Sequence, residues 1–144
     1  LTGDPTLVYD EKWVGKEIKH FPWSKELFEA EKALLKPNGY HIPIKNELVA
    51  IYNNTKNELA KERNISPEDI KDSDIVTAFI GRYHLAFSGY VDEGELRYVG
   101  DDGFFWSASV ESAGSAWGLY FVEGYVDPSN LGYRGDAQFV RCVA

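Results

Sequence analysis

A chain of 144 residues, 44% hydrophobic and 26% charged, has the balance of a globular domain and not that of a disordered or fibrous polypeptide. Its 15 Lys and Arg against 23 Asp and Glu leave a formal charge of −8, which repels phosphate backbones and anionic lipid surfaces, so nucleic acid is not an expected partner. A single Cys excludes an intrachain disulfide and a Cys-rich zinc site, and His20, His41 and His84 have no two at i, i+2 or i, i+4 spacing, so neither metal nor cofactor is expected.

No apolar run approaches the roughly 18 residues needed to span a bilayer, so no membrane insertion by this segment is expected. A chain that begins at Leu1 and holds no Met is expected to be a trimmed or mature piece, so the lack of a leader says little about compartment.

In chain order, Ser24 is a plausible N-cap, and Leu27, Phe28, Leu34 and Leu35 recur at helical spacing until Lys36-Pro37-Asn38-Gly39 ends the pattern. A second helix is predicted after Pro43, where Leu48, Tyr52, Thr55 and Leu59 share a face as far as Arg63. Asn64 to Asp69 reads as a break and a new start, with Ser66 capping and Pro67 at the first helical position, followed by at most one or two turns.

From Ile75 onward, β-branched and aromatic residues in short runs broken by Gly or Asp predict short strands and tight turns. Asp92-Glu93-Gly94 and Asp101-Asp102-Gly103 read as hairpin-type turns. Trp117 to Val122 and Gln138 to Val143 read as buried strands, and Glu123 to Ala137, with its Pro128, as a long surface loop. The half after residue 72 carries a net −6 and 14 of the 21 aromatics, so the two halves are expected to do different jobs. Helices beside a loop-rich antiparallel sheet give an α+β class.

Three segments carry a resemblance. Gly39-Tyr40-His41-Ile42-Pro43, followed by Glu47-Leu48, is similar to the aromatic, polar, hydrophobic, Pro entry to the second helix of C-type-lectin-like domains in bacterial and phage proteins. Leu85, Gly89-Tyr90, Gly94, Gly100 and then Gly103-Phe104-Phe105-Trp106-Ser107-Ala108-Ser109 are similar to a glycine-punctuated pattern ending in two aromatics and Trp-Ser-Ser, with Ala108 where the family usually has Ser. Ala116 to Phe121 and the terminal Phe139-Val140-Arg141-Cys142-Val143 resemble the family's closing strands. Together, over roughly residues 37–144, they resemble the Fibrobacter succinogenes major paralogous domain, a C-type-lectin-like family of surface proteins.

The resemblance implies that residues 1–144 are a single C-type-lectin-like domain, with residues 1–20 departing from the family's usual leader, and that the C-terminal half presents irregular loops to a ligand. It implies an extracellular, cell-surface or virion location, in a bacterial surface protein, fimbria or phage tail. A related branch comprises the variable proteins of diversity-generating retroelements, whose exposed C-terminal side chains are mutated to acquire new targets. Formylglycine-generating enzymes share the fold but resemble oxidases that bind copper through paired cysteines, which one Cys cannot repeat.

Candidate residues divide into structural and binding groups. Trp106 and Ser107 belong to the most recognisable motif, and a Trp after two Phe reads as a core filler. Arg141 reads as an internal brace and Cys142 as a small buried hydrophobe, with no catalytic residue assigned. Asp101, Asp102, Glu123 and Asp127 offer oxygen ligands for calcium, but the Glu-Pro-Asn, Gln-Pro-Asp and Trp-Asn-Asp triplets of sugar-binding lectins are absent. Arg134-Gly135-Asp136 is the integrin-binding tripeptide, which ordinary turn chemistry also explains. The expected ligand-binding set is Ser112, Ser115, Trp117, Tyr125, Asp127, Ser129, Asn130, Tyr133 and Arg134, because rigid aromatics with adaptable hydroxyls and amides suit a binding surface. The expected function is a non-enzymatic adhesion or ligand-binding module for a protein or glycan receptor. Its rivals are a structural cap in a surface polymer, a diversified variable protein, and an enzyme whose cleft would hold convergent polar groups.

Overall fold

The computed structural model of the chain describes residues 21–24 and 41–141, so the expected helix after Ser24, residues 1–20 and Cys142 lie outside the described residues. Within them the architecture is α+β, with two α-helices and two small antiparallel sheets.

Helix α1, Lys45–Arg63, follows Pro43 as its apolar spacing predicts. Glu47 at its third position accepts the Ile44 N–H at 3.0 Å, satisfying one of the orphan donors of the first turn. Asn64 ends it in the left-handed region at φ 55°, with its N–H returned to the last carbonyls. Leu48, Ile51, Thr55, Leu59 and Ala60 are its buried stripe. Ser66 and Pro67 start a single 3₁₀ turn, Pro67–Asp69, with no side-chain cap.

Helix α2, Asp72–Gly81, occupies residues whose Ile, Val and Thr content predicted a turn or two and then strand. Ile75, Val76, Ala78 and Phe79 are buried at the one, three and four spacing of a helix, and Asp72 and Asp74 stand at its positive end. Burial of that stripe outweighs β-branched propensity, which amounts to tenths of a kcal/mol per residue.

The remaining elements are strands, with β1 (Phe21–Pro22) far earlier in the chain. Strands β2 (Tyr90–Asp92) and β3 (Glu95–Arg97) form a hairpin, turned at Glu93-Gly94 with φ 49° and 78°, as expected. With β7 (Ala137–Gln138) they form a sheet ordered β1-β7-β2-β3. Strands β4 (Gly103–Val110), β5 (Ser115–Val122) and β6 (Tyr125–Tyr133) form the other sheet in chain order.

Three expectations change here. Glu123 to Ala137 is not a loop: Glu123-Gly124 is a tight turn and β6 takes nine residues. Pro128 fits because β6 is an edge strand and its pairing with β5 shifts between Gly118 and Tyr120, a bulge in which the missing N–H costs nothing. Gly103 belongs to β4, not to a turn; a Cβ there would run into the Phe121 ring. Among the described residues the closing strand is two residues long, paired to β1 and to Val91, and is followed by a bridge between Phe139 and Phe105.

The main core lies between α1, α2 and one face of the β4-β5-β6 sheet. Phe121 is its hub, with ring centroids 5.8 Å from Phe79 and 5.6 Å from Phe87. A second cluster holds Trp106, fully buried as expected, with Ile42 and Ala116. Fully burying side chains of this size contributes about 1.5–3 kcal/mol each.

Candidate functional site

Register decides which expected site residues meet. Trp117 pairs with Leu131 and Ser115 with Tyr133, and in an antiparallel ladder paired residues project to the same side. Residues two apart also share a side, so Ser115, Trp117, Leu131 and Tyr133 form one face at the β4–β5 turn end of the sheet. Leu131 and Tyr133 are 49% and 65% exposed, and Trp117 is half-buried. The Lys45 ammonium, at the start of α1, stands 3.8 Å from the Trp117 ring centroid, a cation–π contact that fixes the indole. The Lys45 N–H donates to the Ser109 hydroxyl at 2.9 Å, tying the helix start to β4.

Ser107 supports this face from beneath. Buried, it donates to the Trp117 carbonyl at 2.6 Å and accepts the Ser109 N–H at 3.0 Å, while the Trp23 indole N–H donates to the Ser107 carbonyl at 2.8 Å. Ser112, in the adjoining turn, is exposed and accepts the Gly114 N–H at 3.3 Å.

The other expected residues lie elsewhere. Asp127 and Asn130 pair with Tyr120 and Gly118 and so face the opposite side, and Ser129 lies in the bulge, where its N–H donates to the Asp127 carboxylate at 2.9 Å. Tyr125, 51% exposed, stands at the far end of β6, roughly 25 Å along the strand from Tyr133, with its ring 6.3 Å from that of Tyr120. Arg134 is a brace: its guanidinium lies 4.5 Å from the Trp23 ring centroid and donates to the Trp23 and Ala113 carbonyls at 3.4 and 3.2 Å. Asp136 is partly buried, and burial, then the neighbouring Asp92, pushes its carboxyl up. The Arg-Gly-Asp tripeptide is therefore engaged in the turn, not extended from it. Arg141 is half-buried beyond the Phe139 bridge.

Lys45 and Leu131 are members of the face that the sequence reading missed. Lys45 lies 72 positions before Trp117 in the chain, and no local pattern links them. Leu131 was legible only if Tyr125 to Tyr133 had been read as a strand.

Titratable groups show where burial matters. Burial pushes the Tyr52 hydroxyl up to about 12, with its bond to Asp72 adding to the effect. Burial also raises Asp102, partly opposed by the hydrogen bond from Tyr120. Among the described residues, no group of three or more His, Cys, Asp or Glu side chains is placed to hold a metal ion, and no helix is long and apolar enough to cross a membrane. Comparison with protein families, curated proteins and solved structures found no match.

Proposed function

We propose that this chain is a non-enzymatic, C-type-lectin-like binding module, displayed on a cell or virion surface, that engages a protein or glycan receptor. The observation that carries this reading is the Ser115, Trp117, Leu131 and Tyr133 face, an aromatic and aliphatic surface with hydroxyls at its edge. A flat apolar surface of this kind stacks against a sugar ring or an apolar side chain, and hydroxyls adjust to the polar groups around it. Because Lys45 and the Ser107 network already hold Trp117 in place, little side-chain entropy is lost when a ligand arrives. The pairing of β1 with β7, which joins segments near the two ends of the described chain, supports the lectin-like topology.

The test is a glycan array together with a panel of purified surface proteins. Once a ligand is in hand, Tyr133→Ala combined with Leu131→Ala is expected to weaken binding at least about tenfold, a loss of about 1.4 kcal/mol. Tyr125→Ala, at the other end of β6, is expected to leave it unchanged. Unchanged binding by the double variant overturns the proposal.

A further inference from the structure

Strand β3 is an edge of its sheet, paired to β2 on one side and, among the described residues, to nothing on the other. Its hairpin has a two-residue turn, so Asp92 and Glu95 are the hydrogen-bonded pair that flanks it. The ladder alternates, and the Leu96 N–H and C=O therefore point away from β2, toward the open edge. The Leu96 side chain is 59% exposed, and Tyr98 and Val99, which follow, are 57% and 54% exposed. Natural sheets usually blunt such an edge with like charges or Pro. Here the three residues are Glu95, Leu96 and Arg97, an acid, an aliphatic and a base.

That order is complementary to itself when reversed. We infer that two copies of this chain pair through their β3 edges, antiparallel, about a two-fold axis at Leu96. Each Leu96 then exchanges both backbone hydrogen bonds with its counterpart, and Glu95 of each copy stands directly opposite Arg97 of the other. The pairing is isologous, the commonest form of closed dimer, and joins two four-stranded sheets into one of eight strands. Tyr98 leaves the strand at φ 58°, which ends the pairing after Arg97. In the single chain Arg97 lies within ion-pair distance of Asp92 on β2 and Glu95 on β3, at 3.4 and 3.3 Å, so dimerisation turns its fork from these partners to Glu95 of the second copy. Two occupants of opposite charge pattern are not needed; the chain supplies both. This interface lies on a different sheet from the Trp117 face, so it holds whether or not that face binds a receptor.

The experiment is sedimentation equilibrium of the whole chain, up to roughly millimolar concentration, with charge-reversed variants. Wild type is expected to show a concentration-dependent dimer. Glu95→Arg alone and Arg97→Glu alone each set like charges opposite one another and are expected to raise the dimer dissociation constant at least tenfold. An equimolar mixture of the two variants is expected to form a heterodimer, since each 95–97 contact is again of opposite sign, which also shows that both variants are folded. A wild type that stays monomeric overturns the inference, as do single variants that dimerise like wild type or a mixture that fails to associate.

Discussion

An Ala at Gly118 would bring its Cβ to 2.6 Å from the Phe105 carbonyl oxygen, which is backbone and cannot swing aside. At Gly81, the last residue of α2, an added Cβ meets nothing within 4 Å. The same chemical change is therefore expected to have opposite effects at the two sites. Gly118→Ala is expected to cost about 1–3 kcal/mol as β5 and β4 are pushed apart. Gly81→Ala is expected to be neutral or to stabilise by up to about 1 kcal/mol, because it reduces the conformational freedom of the unfolded chain. Urea-unfolding midpoints of the two variants check this directly. At this scale the sequence was legible where a large apolar side chain sits in an apolar run: Trp106 follows Phe104 and Phe105 and lies in the core, whereas Trp117, of equal size, is half-buried. It was not legible for Arg134, which looks like an exposed recognition residue until Trp23, 111 positions earlier, is placed beneath it.

The elements are held together by a few polar contacts as well as by the core. Asp72, the first residue of α2, accepts the Tyr52 hydroxyl of α1 at 2.7 Å with one oxygen and the Val126 N–H of β6 at 3.0 Å with the other. Asp72→Ala removes a partner from two elements at once and is expected to destabilise by about 1–3 kcal/mol in urea unfolding. Tyr52 adds a pH signature. Burial raises its pKa in the folded state to about 12, so folding favours the protonated phenol. That contribution is complete below the unfolded value near 10 and is lost as pH rises through 10 to 12. Alkaline unfolding of wild type is therefore expected to steepen across that window, and the Tyr52→Phe variant to show a shallower loss.

The helix α1 was legible in full because Leu48, Tyr52, Thr55 and Leu59 keep one helical spacing over about three turns, between Pro43 and the break at Asn64. Helix α2 was not, since Ile, Val and Thr pointed to strand and only contact with α1 and β6 reveals which period is used. In β6, Pro128 hid the strand, and the bulge beside it breaks the alternation, so that Val126 faces the main core and Gly132 the Trp106 side. A Pro is excluded from a central strand but not from a bulged edge, and which of the two it occupies is decided by the neighbouring strands.

Across the whole molecule, the −8 charge is not spread evenly in its consequences. Asp136 of the β7 approach is raised by burial and then by Asp92 on β2, so its ionised form is disfavoured in the folded chain. A raised folded pKa contributes stability below the unfolded value, and that contribution is lost as pH rises through the folded one. Asp136→Asn keeps the shape and removes the charge; it is expected to raise stability at neutral pH and to change it little below pH about 3.5, where the carboxyl is protonated in both states. Unfolding midpoints at the two pH values check the sign.

Composition, charge and periodicity by themselves determined the α+β class, helix α1, the β2–β3 turn and the burial of Trp106, because each depends on residues within a few positions of one another. The grouping of Lys45, Ser115, Trp117, Leu131 and Tyr133, the separation of Tyr125 from Tyr133, and the open edge at Leu96 were decided only by tertiary structure. The physical reason is register: a one-residue shift in β6 moves every side chain to the other face, and the bulge that sets it arises from pairing with β5.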